Sequence, residues 1–244
     1  MYLIYGKTDI GKKRSLNQDI FKLGQNAEDT IWAIVCDGLG GENAGEVASY
    51  IAVNAADRYI KDNLEAVKDQ QAAKELVINS VNTANNAVIQ KAEATKNLEG
   101  MSTTIVCLLV YNNMLHVANV GDSRAYTILD NKVTQITKDH SVVQALLDSG
   151  KISKEQAENH PNKNCLVQVL GLNQTIFPAY FCQEFLESLK VLVCTDGLYN
   201  YLTEEDIIFV LNNFKAEKVT NEFINLALKR GGADNITVVT IEKD

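Results

Sequence analysis

Five aspartates stand where apolar runs begin or end. The run Ile31-Trp-Ala-Ile-Val-Cys36 closes on Asp37-Gly38, and Val191-Leu-Val-Cys-Thr195 closes on Asp196-Gly197. Leu115-His-Val-Ala-Asn-Val120 closes on Gly121-Asp122. Asp234-Asn235 instead precedes Ile236-Thr-Val-Val-Thr-Ile241, and Asp19 precedes Ile20-Phe21. In an antiparallel sheet the end of one strand lies beside the start of its neighbour, so three aspartates after strands and two before strands can share one rim. Five carboxylates on one rim repel one another unless cations sit among them. All-oxygen ligation of that kind suits Mg²⁺ or Mn²⁺. Asp-Gly is equally ordinary turn chemistry, so position and spacing alone reach a candidate hard-metal site and stop there.

Two glycine-rich segments point elsewhere and fall short. Gly38-Leu-Gly40-Gly41-Glu-Asn-Ala-Gly45 follows an apolar run, but a GxGxxG frame started at Gly38 puts Asn43 at the third glycine, and no βαβ alternation surrounds it. Gly6-Lys-Thr-Asp-Ile-Gly11-Lys12-Lys13 matches a Walker A loop until Lys13, where a hydroxyl should meet Mg²⁺.

The elements that must position the aspartates alternate in groups. Residues 2–5, 20–23 and 31–36 read as strands. Val47, Ile51, Ala55 and Tyr59 mark one helix, and Leu76, Ala84, Ala87 and Val88 a second. Strands over 103–111 and 115–120 turn at Asn112-Asn113, and strands over 123–129 and 132–136 turn at Asp130-Asn131. Ser141-x-x-Gln144, Ser153-x-x-Gln156 and Thr203-x-x-Asp206 are helix-opening capping boxes. Residues 141–182 are polar and turn-rich and read as an insertion over the core. A strand over 190–194, a helix over about 220–230 ending at Gly231-Gly232, and a strand over 236–241 complete the chain. Short antiparallel strands with surface helices give an α+β layered domain.

The chain has 244 residues, 46% apolar and 22% charged, which supplies a continuous core and excludes disorder. With two prolines and no linker tract, a single domain over 1–244 is expected. The net charge of −8 argues against a sequence-independent grip on nucleic acid and against docking on an anionic membrane. It leaves room for a phosphorylated substrate held through a cation. The longest apolar run, 105–111, is far short of a membrane span. Residues 1–10 show no signal-peptide pattern. The five cysteines, Cys36, Cys107, Cys165, Cys182 and Cys194, make no CxxC pair, mostly sit in apolar runs and read as buried free thiols in a reducing cytoplasm.

Taken together, seven motifs resemble the metal-dependent Ser/Thr phosphatases of the protein phosphatase 2C type in their compact bacterial form. In order they are Gly11-Lys-Lys-Arg14-Ser-Leu-Asn17-Gln18-Asp19, Asp37-Gly38-Leu-Gly40-Gly41, Gly100-Met-Ser-Thr-Thr104, Val120-Gly121-Asp122-Ser123-Arg124, Asp139-His140-Ser141, Cys194-Thr195-Asp196-Gly197-Leu198 and Gly232-Ala-Asp234-Asn235-Ile-Thr-Val238. They span nearly the whole chain.

The resemblance implies a four-layer αββα sandwich of two antiparallel sheets flanked by helices, with residues 141–182 as a flap. It implies two Mn²⁺ or Mg²⁺ ions and hydrolysis of phosphoserine or phosphothreonine by in-line attack of a hydroxide bridging them. Asp37 matches the bridging carboxylate and Gly38 the residue whose carbonyl meets one ion. Asp196 and Asp234 match ligands of the second ion, Asp19 an acid holding the cluster partly through water, and Asp122 the site of a third, weaker ion. Arg14 matches the phosphate-binding arginine, suited by its planar fork. The implied partners are phosphoprotein substrates and a cognate Ser/Thr kinase, with a monomeric enzyme in the cytoplasm.

The chain departs from many members in three places. Leu39 stands where a proton-donating His is common, Gln18 where Glu is common, and Gln168 where Arg is common. His140 is expected to act structurally at a helix start. A catalytically silent, phosphoprotein-binding relative and a nucleotide binder at the near-Walker segment are the alternatives. Metal-dependent turnover, or ATP binding that survives Asp37→Asn, separates them.

Overall fold

The run at 31–36 is apolar throughout because both of its faces are buried. In the computed structural model it lies in β3 (Ile31–Leu39). There Ile31, Ala33 and Val35 enter a core between two sheets, and Trp32, Ile34 and Cys36 enter another beneath helices. The period-two alternation of a strand makes that division. The structure describes residues 1–26, 29–39, 44–172 and 175–244.

One sheet has the order β1 (Tyr2–Asp9), β11 (Ile236–Lys243), β10 (Lys190–Cys194), β7 (Arg124–Leu129), β8 (Lys132–Gln135). The other has β2 (Asp19–Gln25), β3, β5 (Ile105–Tyr111), β6 (Met114–Val120), β9 (Ala179–Glu184), with two-residue β4 (Ser102–Thr103) against the end of β3. All pairings among these strands are antiparallel. Val35, Val106, Leu108, Val191, Val193 and Val239 fill the space between the sheets.

Helices α1 (Gly45–Asn63) and α2 (Gln70–Ala94) cover the outer face of the second sheet through Ala48, Ala52, Ala56, Val77, Val81 and Ala84. On the other side, α6 (Glu204–Asn213) and α7 (Ala216–Arg230) bury Ile207, Leu211, Phe223 and Ile224 against the first sheet. Truncating a fully buried Phe such as Phe223 to Ala costs about 3–5 kcal/mol. The layers are therefore α, β, β, α, as expected. Short helices α3 (Val142–Asp148), α4 (Lys154–Glu158) and α5 (Asp196–Tyr199) lie outside this stack. Asn112, Asn113, Asp130 and Asn131 all take positive φ, the backbone that two-residue hairpins require.

Several boundaries differ from expectation. The insertion 141–182 runs too far, because Ala179–Glu184 form β9 and pair with β6. This edge strand is half-exposed along nearly its whole length, so it lacks the apolar alternation that marks a strand. Helix α7 starts at Ala216, four residues early, and β1 continues to Asp9 along β11. Ser153 and Thr203 make complete capping boxes. Ser141 caps α3 through the Gln144 N–H, but the Gln144 side chain donates to Asp148 instead of returning to the cap. Gly40, Gly41 and Asn43, in the glycine-rich segment after Asp37, lie outside the described residues.

Candidate active site

Asp37 shares the parity of Ala33 and Val35, so it continues their inter-sheet stripe past the apolar core. Asp19 is directly opposite Asp37 in the β2–β3 register, on the same face as Phe21 and Leu23. Asp196 opens α5 just after β10, Asp234 lies just before β11, and Asp122 lies between β6 and β7. Gly197 brings two of these together: a Cβ there would stand 1.9 Å from the Asn235 carbonyl oxygen. Only glycine lets the chain bearing Asp196 pass so close to the one bearing Asp234.

Burial and mutual repulsion govern the electrostatics. Burial pushes the Asp19 carboxyl up to about 7, with Asp196 and Asp234 adding to the rise. Burial raises Asp37 well above the carboxylate range, and Asp19, Asp196, Asp122 and Asp234 push it the same way. Asp122 rises to about 7, first by burial and then by Asp196. Asp196 rises to about 6 by burial and Asp234. Thr195 Oγ1 donates to Asp19 Oδ2 at 2.8 Å, while Asp19 Oδ1 is buried with no hydrogen-bond partner.

The motifs between the aspartates hold their backbones. Asp37 N–H donates to Thr104 Oγ1 at 3.0 Å, and its carbonyl accepts from Thr103 Oγ1 at 2.8 Å and Thr104 N–H at 2.9 Å. Gly38 N–H donates to Gln18 O at 3.1 Å. Arg124 grips Asp139 with Nε and Nη2, the shorter contact at 2.7 Å, and lies 3.7 Å over the Tyr199 ring. That fixes the turn after Asp122 against α5. His140 Nδ1 accepts from Gly121 N–H at 3.2 Å, a structural role as expected.

Arg14 reaches Asp234, its Nη2 donating to Oδ2 at 2.7 Å with half the side chain exposed. That hydrogen bond raises its basicity, as do the charges of Asp196 and Asp37. Asn235, which sequence reading passed over, holds the loop that carries Arg14. Its Oδ1 accepts from Gln18 N–H at 2.8 Å, and its Nδ2 donates to Ile10 O at 2.9 Å and Leu16 O at 3.0 Å. The only signal in the sequence was its place next to Asp234.

Arg14, Asp37, Asp196 and Asp234 line a cavity of about 390 Å³ with Leu16 and Leu39. Asp122 lines another of about 570 Å³ with Arg124, Gln144 and Lys163. A larger cavity of about 630 Å³ beside Lys22, Asp57 and Lys61 contains none of the five aspartates. Among the described residues no group of three or more His, Cys, Asp and Glu side chains is arranged, as it stands, to hold an ion. The donor set nevertheless fits hard cations. It is all carboxylate, mutually repelling, and includes a buried oxygen without a partner. Asp234 at present accepts from Arg14 Nη2 at Oδ2 and from Asn235 N–H at Oδ1, 2.8 Å. Residues 6–13 have no helix after them, and Gly11 instead packs against Asp234 O, so the Walker-like segment makes no phosphate loop. Among the described residues no helix is long and apolar enough to cross a membrane.

Comparison with known proteins gives a consistent picture. The family model described as Protein phosphatase 2C matches residues 8–235. The serine/threonine phosphatase stp of Listeria monocytogenes is 36% identical over 242 residues, covering 98% of this chain and 94% of that protein. The structure of the S. agalactiae serine/threonine phosphatase superposes with a TM-score of 0.92 at 30% identity, covering 100% of both chains. The catalytic domain of the phosphatase PstP, crystallised with two manganese ions, superposes with a TM-score of 0.84 at 30% identity, covering 99% of this chain and 97% of that one.

Proposed function

The chain belongs to the protein phosphatase 2C family of serine/threonine phosphatases, and we propose that it removes phosphate from phosphoserine and phosphothreonine in proteins at the aspartate rim, with Mn²⁺ or Mg²⁺ bound there. The observation that carries this reading is the directly opposed pair of buried Asp19 and half-buried Asp37, with Asp19 Oδ1 left without a partner. Nothing in the fold needs such a pair, and cations satisfy it.

Asp37, the Gly38 carbonyl, Asp196 and Asp234 would hold two ions, with Asp19 closing the set from behind and Asp122 with Asp196 offering a weaker third site. Bound ions supply charge neutralisation and a water acidic enough to serve as nucleophile near neutral pH. Arg14, half-exposed at the cavity mouth, would take two phosphate oxygens with its fork. It then stabilises charge on the equatorial oxygens during in-line displacement. Leu39 has no proton to give, and a water held by the bound ions would be the donor to the leaving alkoxide. The Arg124–Asp139 pair keeps the Asp122 turn in place throughout.

The substrates are phosphoproteins, which requires a Ser/Thr kinase in the same compartment. Cys36, Cys107 and Cys194 as buried free thiols support a reducing cytoplasm, whereas Cys165 is exposed and Cys182, on edge strand β9, is half-buried, contrary to the expectation that all five are buried. We take the enzyme to act as a monomer, with the segment from Ser141 to the start of β9 as a flap that tunes substrate choice. Phosphate release from a phosphothreonine peptide in Mn²⁺, Mg²⁺ or EDTA is the test. Full activity in EDTA, or none with either ion, overturns the reading.

A further inference from the structure

We propose that Gln168 is a positioning residue that sets how tightly the protein holds a peptide next to its phosphoresidue, by clamping exposed Phe177 to the loop before Asp122. This rests on the phosphatase reading above.

Gln168 Oε1 accepts from Phe177 N–H at 2.8 Å, and Nε2 donates to Phe177 O at 3.0 Å. The amide thus pairs with the Phe177 backbone as a neighbouring strand would. The same Nε2 lies 3.2 Å from His140 Nδ1, which also receives the Gly121 N–H. His140 N–H in turn donates to Gly121 O at 2.9 Å, and Val167 N–H to His140 O at 2.8 Å. The chain of contacts therefore runs from Phe177 through Gln168 and His140 to Gly121, the residue before Asp122.

What the clamp displays is apolar. The Phe177 ring is 75% exposed and Val167, beside Gln168, is 54% exposed. A large aromatic fixed by its backbone while its ring stays in water is pre-organised for contact, because the ordering cost is met before a partner arrives. The partner in reach is the polypeptide whose phosphate enters the aspartate rim. The chemistry that fits is a phosphopeptide with an apolar side chain a few residues from the phosphoresidue.

The test uses the full chain with Gln168→Leu, which removes all three bonds at similar volume, Gln168→Glu, which retains only acceptance from Phe177 N–H, and Phe177→Ser. On a phosphothreonine peptide with apolar flanks, Gln168→Leu should raise KM roughly 5- to 10-fold, the scale of a lost pair of side-chain to main-chain hydrogen bonds. Gln168→Glu should fall between it and wild type, and Phe177→Ser should reproduce the rise. Turnover of p-nitrophenyl phosphate should stay within about twofold, since the metal rim is untouched. In metal-free protein, trypsin should cut after exposed Lys163 several-fold faster in Gln168→Leu. An unchanged peptide KM, an equal loss on p-nitrophenyl phosphate, or an unchanged trypsin rate each overturns the proposal. If wild type fails to hydrolyse p-nitrophenyl phosphate with Mn²⁺, the phosphatase reading falls instead, and the trypsin comparison still scores the clamp.

Discussion

Asp19 and Asp37 are directly opposed across β2 and β3, two carboxylates at the place where cross-strand partners stand closest. Like charges in that position destabilise a sheet, and the pair stands at the open end of the inter-sheet core, Asp19 buried and Asp37 half-buried. The protein therefore has a local weakness that protons or cations must relieve, and the two relieve it competitively.

Metal and pH should trade against each other in stability. Asp19 and Asp122 at about 7 and Asp196 at about 6 all lie above the ordinary Asp value of 3.8. A raised folded-state pKa gives stability that is full below the unfolded value and lost as pH climbs through the folded value. The metal-free rim is thus at its weakest from about pH 7 upward. His116 and His140, lowered by burial, act with the opposite sign, so the useful quantity is the difference between melts in Mn²⁺ and in EDTA. That difference should be larger at pH 7.5 than at pH 5.5 by about 1–3 kcal/mol. Equal differences at the two pH values would show that the aspartates are not what the ions bind.

Asp37→Asn should be the harshest single change to turnover. It preserves shape and removes a charge shared between ions, and loss of a principal electrostatic stabiliser costs at least ~10³-fold in kcat. The same change removes one partner from the Asp19–Asp37 repulsion, so the metal-free protein should melt no lower than wild type. Opposite signs in activity and stability are the expected signature. A folded Asp37→Asn protein with near-normal kcat ends the assignment.

Arg14→Ala should raise KM for a phosphopeptide about 10- to 100-fold with a smaller effect on kcat, the pattern of lost uniform binding. Arg14→Lys should recover only part, since an ammonium lacks the two-pronged geometry. Half of the Arg14 side chain is exposed, so its bond to Asp234 adds little to stability and neither variant should melt appreciably lower. A collapse in kcat at constant KM would place Arg14 in the transition state alone.

The layers and the rim were legible because they follow from local pattern. The 31–36 run could be continuous only if buried twice, and a carboxylate directly after it had to lie at the core's open end. The β5–β6 and β7–β8 hairpins announced themselves through paired Asn or Asp residues that tolerate positive φ. What escaped was long-range. β9 is an edge strand whose partner β6 lies far away in sequence, and its burial is too even to alternate. α5 is a single turn forced on Asp196 by the close pass of Gly197 and Asn235. Asn235 makes its three bonds to residues more than two hundred positions away, and no spacing rule reaches that far.

Asn235 supplies the last prediction. It is 5% exposed, and its amide ties Ile10, Leu16 and Gln18 to the start of β11. Asn235→Ala leaves one N–H and two carbonyls of that loop short of a partner, a loss of about 2–4 kcal/mol. For a chain of this size that lowers Tm by roughly 10 °C. Asn235→Asp keeps acceptance from Gln18 N–H but loses both donations and adds a sixth carboxylate to the rim, so it should not rescue stability at neutral pH. Because the loop carries Arg14, both variants should also raise phosphopeptide KM in the manner of Arg14→Ala, and adding Arg14→Ala to Asn235→Ala should produce little further rise. Thermal melts and KM on the single and double variants check this. A lowered Tm with unchanged KM would mean that the loop stays in register without Asn235, and that Arg14 is placed by Asp234 and Gly11 alone.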